Sequence, residues 1–195
     1  MVLLKEEKEH ADFVLVEECR NGDSSAFDEI VRRYKDRIYN VAYRLLGNHE
    51  DAQDVAQEVF VKAYKGIRGF RGTAKVYTWL YSIAGNLAKN RLRDSHRKGR
   101  DKGVSIEALA GAQGMRGAGW SPSETALGNE LNELLQRCIE ELPEHYRVVF
   151  VLRTFENLSY DEIADALGCP RGTVKSRLNQ ARTLLQARLK ALSVL

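Results

Sequence analysis

The chain has 195 residues, of which 30 are Lys or Arg, 27 are Asp or Glu and 44% are hydrophobic. This composition predicts a globular protein of one or two domains, and no apolar run approaches the roughly 18 residues of a membrane-spanning helix, which excludes an integral membrane protein. The N-terminal segment is acidic and lacks the apolar block of a signal peptide, so we expect the protein to stay in the cytoplasm.

The small net charge of +3 conceals two basic clusters. Residues 89–102 hold seven basic side chains against two acidic ones, and residues 170–190 hold six basic side chains and no acidic one. Positive charge concentrated at two separate places in the chain favours a polyanionic partner.

Apolar residues recur at helical spacing through the first half, from Ala26 to Tyr34 and from Ala52 to Tyr64. The alternating pattern of strands is missing. The helix predicted from Asp51 to Lys65 has a second face at spacings of three and four residues, formed by Asp54, Gln57, Glu58 and Val61. Because this face is acidic and carries a valine, it would repel nucleic acid and is predicted to dock a basic partner protein.

Aromatic and basic residues are interleaved in the next segment, residues 69–93. The aromatic residues are Phe70, Tyr77, Trp79 and Tyr81, and the basic ones include Arg71, Lys75, Lys89, Arg91 and Arg93. Aromatic faces beside a cationic track are typical of proteins that bind single-stranded nucleic acid. Trp79 and Tyr81 are expected in the core, whereas Phe70 lies between glycines in a loop and is expected to be harder to bury.

A glycine sits inside the helical stretch that follows this loop. Gly85 costs about 1 kcal/mol there relative to alanine. It either permits a close approach of another element or is simply tolerated.

A glycine-rich segment without a sustained apolar period, residues 99–123, separates the two halves. We therefore predict an all-α protein of two small helical domains, residues 12–98 and 124–195, joined by a flexible linker. In the second domain an apolar stripe from Leu131 to Leu142 stops before Pro143, because a proline disfavours helix in the residue ahead of it.

The second half contains the signals of a helix-turn-helix. Ser159 and Glu162 form the pattern of a capping box at a helix start. Gly168 can adopt the left-handed conformation that ends this helix, and Pro170 suits the start of the next.

In the second of these helices, the apolar residues Val174, Leu178, Ala181, Leu185 and Leu189 recur at intervals of three or four and are expected to face the core. The opposite face then presents Lys175, Ser176, Asn179 and Gln180. Lysine can donate to guanine, and asparagine or glutamine can pair with adenine, in the major groove of DNA. Flanking arginines, including Arg171 and Arg177, suit phosphate contacts.

The scattered cysteines and histidines predict neither disulfides nor a metal site. We interpret Cys19, Cys138 and Cys169 as small core residues, and a role in sensing the redox state is the alternative that stays open. The sequence also lacks a phosphate-binding glycine loop, a His-Glu-x-x-His helix and a Cys-His constellation, so we expect no catalytic residue and no cofactor.

Three segments together resemble one family. DAQDVAQEVFVKAY, FRGTAKVYTWLYSIAGNLAKN and LSYDEIADALGCPRGTVKSRLNQAR, in this order, look like an extracytoplasmic-function (ECF) sigma factor of the bacterial sigma-70 family. The resemblance spans residues 12–192 except for the linker. It implies a subunit that binds core RNA polymerase, recognises a promoter as duplex and as single strand, helps to open it, and is held inactive by an anti-sigma factor.

The resemblance also implies roles for individual residues. Asp54, Gln57 and Glu58 would lie on the surface that grips the clamp helices of the largest polymerase subunit. The pocket for a flipped-out base of the minus-ten element would be formed by Phe70, Ile83 and Asn86, with Lys89 and Asn90 nearby. The major-groove readers of the minus-thirty-five element would be Lys175, Ser176, Asn179 and Gln180, and the DNA backbone would be contacted by Arg153, Tyr160, Thr173 and Arg177.

Two points stay open at this stage. After Phe70, Arg71 and Gly72 the family often has an acidic residue followed by small hydroxyl residues, whereas this chain has Thr73, Ala74 and Lys75. The bases that the chain prefers in the minus-ten element therefore stay open. The alternative function is a stand-alone helix-turn-helix regulator that binds a palindromic duplex as a dimer. That alternative leaves the acidic face and the aromatic-basic segment unexplained.

Overall fold

The computed structural model describes residues 2–72, 74–101 and 126–192, and these residues form helices and turns without a strand. The predicted all-α class is confirmed. The first half comprises α1 (Val2–Arg20), α2 (Ser24–Leu46), α3 (His49–Gly66), a 3₁₀ turn (Ile67–Gly69) and α4 (Val76–Asp101). The second half comprises α5 (Ala126–Glu140), α6 (Glu144–Thr154), α7 (Tyr160–Leu167) and α8 (Arg171–Ala191).

The predicted linker is only partly described. Helix α4 continues through Gly99 to Asp101, two residues beyond the position at which we expected the linker to begin. The rest of the predicted linker, from residue 102 onward, lies outside the described residues.

Helix ends in the first half are set by capping side chains. The Asp23 carboxylate accepts a hydrogen bond from the backbone N–H of Ser25, and Gly47 ends α2 in the left-handed region with φ +72°. The Asn48 side chain then accepts from the backbone N–H groups of Glu50 and Asp51 and starts α3. These caps satisfy N–H groups that a helix start leaves without a partner, so the turn between α2 and α3 needs only two residues.

Helices α2, α3 and α4 pack around one apolar core in the first half. Ile38, Val59, Leu80 and Tyr81 are fully buried in it. Helix α1 is fastened to this bundle by Asp12, which is 3% exposed and accepts hydrogen bonds from Arg33 (3.0 Å) and the Tyr34 hydroxyl of α2. Burial and the bond to Asp12 raise the pKa of Tyr34, so its hydroxyl stays protonated and donates.

The second half has the predicted helix-turn-helix at α7 and α8. Both bonds of the capping box are present, since Ser159 accepts from the Glu162 N–H and the Glu162 carboxylate accepts from the Ser159 N–H. Gly168 ends α7 with φ +60° in the left-handed region. Val174, Leu178, Ala181 and Leu185 are buried as predicted, and Leu189 is half-buried.

Burial of the cysteines follows the prediction for two of three. Cys19 and Cys138 are buried, and burial raises the pKa of both thiols, which keeps them protonated. Cys169 is half-buried. Two apolar residues of the predicted stripes, Leu131 and Tyr64, are instead more than half exposed.

Candidate nucleic-acid and protein interfaces

The acidic face of α3 is exposed as the helical spacing predicts. Asp54, Gln57, Glu58 and Val61 are all open to solvent. Arg91 of α4 forms ion pairs with Asp54 (2.6 Å) and Asp51 (2.8 Å). One cation of the predicted basic track is therefore used inside the molecule, where it holds α4 against α3.

A wide apolar groove of about 720 Å³ runs beside this face, between α2 and α3. Gln57 and Val61 belong to both surfaces. The apolar side chains that line the groove include Phe27, Val31, Tyr39, Phe60 and Tyr64. Sequence reasoning missed the groove because it arises from two helices, each of which has its own apolar stripe. The exposure of Val61 (46%) and Tyr64 (53%) gives this end of the bundle an exposed apolar patch.

Phe70 does not stand out from its loop as we expected. The residue is buried (8% exposed), and its ring stacks on Trp79 with 4.7 Å between ring centroids. Trp79, which we expected in the core, is only half-buried and supplies the surface on which Phe70 lies. Tyr81 is fully buried, as predicted. The expectation for Phe70 was wrong because the flanking glycines let the loop fold back onto α4.

The candidate minus-ten residues of α4 form a stripe along one face of the helix, which begins at Trp79. From Trp79 the helical spacing leads to Ile83, Asn86, Asn90 and Arg93 on one face. Ile83 is half-buried, and the other three are exposed together with Lys89 and the loop residue Arg71. Polar amides and cations thus lie on the same face of α4 as Trp79, on whose ring Phe70 stacks.

The outer face of α8 is open to solvent. Lys175, Ser176, Asn179 and Gln180 are exposed, whereas Thr173 and Arg177 are half-buried. Arg171 at the start of the helix forms an exposed ion pair with Asp161 (3.4 Å).

Two further candidates are engaged within the helix-turn-helix. Arg153 donates from Nη1 to the backbone carbonyl of Leu158 (2.7 Å), and its guanidinium lies 5.6 Å from the centre of the Tyr160 ring. Both side chains are half-buried. This contact supports the turn that leads into α7, so Arg153 has a structural role in addition to any contact with DNA.

The two halves of the chain pack against each other, which the sequence did not predict. Helix α2 contacts α5 and α6, and α4 contacts α7. At the centre of this contact the Glu156 carboxylate pairs with Arg37 (2.8 Å) and accepts a hydrogen bond from the Tyr81 hydroxyl. The Glu156 side chain is 8% exposed, so this pair is held largely away from water.

A second carboxylate, Glu162, joins the halves at the start of α7. Besides its bond in the capping box, it accepts hydrogen bonds from Lys75 (3.1 Å) and the Tyr77 hydroxyl. Burial raises the pKa of Glu162, but the bonds from Tyr77, Ser159 and Lys75 outweigh burial and lower it to about 2. The carboxylate is therefore ionised at neutral pH.

Arginines complete the contact between the halves. Arg147 of α6 is 8% exposed and donates to the backbone carbonyls of Leu45 (2.5 Å) and Leu142 (3.1 Å). Arg44 of α2 is equally buried and stacks on Phe155, 3.7 Å from the ring centre. Burial lowers the pKa of both guanidinium groups. Carbonyl and aromatic contacts of this kind compensate part of the cost of removing a charge from water.

A small cavity of about 120 Å³ remains between α4 and the second half. Asn86 and Lys89 line it from α4, and Arg177 lines it from α8. Lys89 also lies 3.9 Å from the Glu144 carboxylate. Candidate residues from both DNA-binding sets therefore face each other in this arrangement.

Within the described residues, no group of His, Cys, Asp or Glu is placed to hold a metal ion. In the same part of the chain, no helix is both long enough and apolar enough to span a membrane.

Two family models match the chain. Sigma-70 region 2 matches residues 30–98, and Sigma-70 region 4 matches residues 132–185. Curated relatives match over nearly the whole length. The RNA polymerase sigma-H factor of Pseudomonas aeruginosa is 40% identical over 93% of this chain and 95% of its own. The ECF RNA polymerase sigma factor SigW of Bacillus subtilis is 39% identical over 91% of this chain and 96% of its own.

Solved structures share the fold. The sigma factor RpoE in complex with the anti-sigma factor NepR from Bartonella quintana is 25% identical and superposes with a TM-score of 0.68 over 84% of this chain and 96% of that one. CnrH, solved in complex with the cytosolic domain of CnrY, is 24% identical and has a TM-score of 0.69 over 93% of this chain and 98% of that one. The latter likeness concerns the fold alone.

Proposed function

The chain belongs to the sigma-70 family as an ECF sigma factor that directs RNA polymerase to promoters, and we propose that three surfaces of the structure divide this work. Residues 12–98 would form region 2, which holds the polymerase and reads the minus-ten element. Residues 124–195 would form region 4, which reads the minus-thirty-five element. Membership of one family across both halves disfavours the alternative of a stand-alone dimeric regulator with an unrelated N-terminal module.

The acidic face of α3 and the groove beside it form the proposed polymerase surface. Exposed carboxylates at Asp54 and Glu58 attract a basic helix, and the apolar floor of the groove adds contact area that water leaves on binding. Gln57 and Val61 lie on both surfaces, which makes the site continuous. We propose that the clamp helices of the largest polymerase subunit occupy this site.

The stripe on α4 forms the proposed minus-ten surface. Ile83 and Asn86 follow Trp79 at helical spacing, and Phe70 stacks on Trp79. Extruding a base costs a few kcal/mol, which stacking and hydrogen bonds to its edge can offset. Lys89, Asn90, Arg93 and Arg71 would contact the strand that carries this base.

The exposed face of α8 forms the proposed minus-thirty-five surface. Lys175, Ser176, Asn179 and Gln180 point away from the core of the second half, as the recognition helix of a helix-turn-helix requires. Arg171, Thr173 and Arg177 would contact phosphates at the edges of the groove. Arg153 and Tyr160 would do so beside the turn that they support.

Promoter binding requires the halves to separate. Asn86, Lys89 and Arg177 line one cavity of about 120 Å³, so residues of the two proposed DNA-binding surfaces face each other while the halves are packed together, and a DNA strand cannot lie between them. We propose that polymerase stabilises the separated form and holds the two reading surfaces at the spacing of the promoter elements. The free chain is then expected to bind promoter duplex poorly.

Three further properties follow from membership of the family. We propose that the protein has no catalytic activity of its own, that it acts in the cytoplasm where its polymerase works, and that an anti-sigma factor binds it. The last proposal is supported by the similarity to RpoE, which was solved with the anti-sigma factor NepR.

The proposed polymerase surface is tested by a charge reversal. Asp54→Lys combined with Glu58→Lys should abolish co-elution with purified core polymerase, because both positions are exposed on the acidic face of α3, next to Gln57 and Val61, which line the groove. The variant should keep its fold, since the exposed pair between Asp54 and Arg91 contributes at most about 1 kcal/mol. The matched control is Glu130→Lys with Glu133→Lys on α5, which changes the net charge equally at exposed positions elsewhere. Retained co-elution of the first variant would place the docking surface elsewhere.

A further inference from the structure

The loop that begins at Phe70 is held from behind by α1. The guanidinium of Arg20 donates from Nη2 to the backbone carbonyl of Phe70. Its Nη1 is paired with the Glu17 carboxylate one turn earlier on α1. Arg20 is thus fixed at one end by its own helix and at the other by the loop.

A second contact of α1 lies two residues further along the loop. Gly72 has φ +69°, and a Cβ at this position would lie 3.4 Å from the ring of Phe13. The ring and the loop therefore approach each other closely. Phe13 is 51% exposed, and it borders a cleft between α1 and the loop.

Helix α1 is held in place by contacts with α2 and with the core. The buried carboxylate of Asp12 ties it to Arg33 and Tyr34 of α2, and Val16 and Cys19 are buried in the core. A cleft of about 190 Å³ lies between α1 and the loop, and Asp12, Phe13, Phe70 and Gly72 line it. The loop therefore packs against a helix whose position is fixed, and this restricts the conformation of the loop.

We infer that Arg20 is a positioning residue for minus-ten recognition, because it fixes the backbone of Phe70 and so the place of that ring beside the α4 stripe. This inference rests on the proposed minus-ten surface. Arg20 contacts the backbone of the loop and would not contact a base, and Phe13 acts with it by packing against Gly72. A loop released from α1 would keep its residues but would lose the fixed geometry on which discrimination between bases depends.

The test measures base preference rather than activity alone. Run-off transcription with core polymerase is compared on promoters that carry each base at every minus-ten position, and on promoters substituted in the minus-thirty-five element. Arg20→Ala should reduce the preference at the flipped-base position by about fivefold, the usual net scale of one typical hydrogen bond, and leave the minus-thirty-five preference unchanged. Arg20→Lys should recover most of the preference, since its ammonium can still donate to the Phe70 carbonyl.

Two variants complete the design. Arg32→Ala removes an arginine from an exposed i,i+3 pair with Glu29, far from the loop in sequence, and should change neither preference. Phe13→Ala should lower the minus-ten preference as Arg20→Ala does, and its exposure means that the fold should tolerate the change.

The possible results separate this inference from the proposal on which it rests. Unchanged minus-ten preference in Arg20→Ala and Phe13→Ala, or an equal loss at both promoter elements, overturns the positioning role. The proposed minus-ten surface is tested separately by Asn86→Ala, which should reduce the permanganate reactivity of unpaired thymines more than it reduces initial promoter binding. If Asn86→Ala also leaves the permanganate reactivity unchanged, the proposed minus-ten surface itself is wrong.

Discussion

Glu162 accepts a hydrogen bond from the backbone N–H of Ser159 within α7 and another from the Tyr77 hydroxyl of α4. One carboxylate therefore starts a helix of the helix-turn-helix and joins it to the other half of the chain. The two roles can be separated by mutation, because the cap also depends on Ser159 and the contact between the halves also depends on Lys75.

Lys75→Met should weaken the contact between the halves and leave the cap of α7 intact. Because the Lys75 side chain is 39% exposed, we expect a loss of about 1 kcal/mol or less in the free energy that holds the halves together. Energy transfer between dyes on α2 and α8 should report a larger separated fraction. Ser159→Ala is the matched control, since it removes the cap of α7 and should cost about 1 kcal/mol of helix stability. Among folded molecules, it should leave the separated fraction unchanged. An unchanged dye distance in Lys75→Met would show that this pair does not hold the halves.

The same carboxylate predicts an acid-sensitive contact. The pKa of Glu162 is lowered from 4.5 to about 2, so its contribution is fully present above pH 4.5 and is lost as the pH falls toward 2. The difference in urea midpoint between the wild type and Glu162→Gln should therefore be constant from pH 7 to pH 5 and shrink below pH 4.5. A difference that grows on acidification would contradict this assignment.

Gly85→Ala should stabilise the protein. The added Cβ would meet Val148 at 3.5 Å and Leu167 at 3.9 Å, which are ordinary van der Waals distances, and alanine is favoured over glycine inside a helix by about 1 kcal/mol. Because both neighbours belong to the second half, the substitution should also tighten the packing between the halves and slow the association with core polymerase. Chemical denaturation and stopped-flow binding measure the two effects. A lower denaturation midpoint would mean that the space beside Gly85 is needed.

Lys175→Ala should weaken transcription most on promoters with one particular base pair in the minus-thirty-five element, by about 1 to 3 kcal/mol if the lysine binds guanine. Arg171→Ala is the comparison, because a phosphate contact should be lost equally on all sequences and should reduce the salt dependence of binding. A uniform loss in Lys175→Ala would reassign this residue to the DNA backbone.

Local features of the fold could be predicted from the sequence because they depend on neighbours within one or two helical turns. The capping box at Ser159, the left-handed Gly168 and the buried stripe from Val174 to Leu185 are of this kind. The exposure of Asp54 and Glu58 also followed from helical spacing alone.

Features that join distant segments could not be predicted in this way. Glu156 pairs with Arg37, 119 residues away in the chain, and no periodic pattern relates the two. The stacking of Phe70 on Trp79 depends on a loop that folds back, and helical periodicity stops at Gly69. The groove between α2 and α3 likewise needs the packing of two helices, so only its individual apolar residues were visible in the sequence.

The pairing of Glu156 with Arg37 and Tyr81 has a consequence for affinity. A protein that must first open binds with its intrinsic affinity multiplied by the fraction of molecules already open. If polymerase binds the separated form, as we propose, substitutions that loosen this pair should strengthen polymerase binding, although none of the three residues lies on the proposed polymerase surface. On this proposal, the affinity of the enzyme for this subunit depends on a contact inside the subunit, at a carboxylate that is 92% hidden from solvent when the subunit is alone.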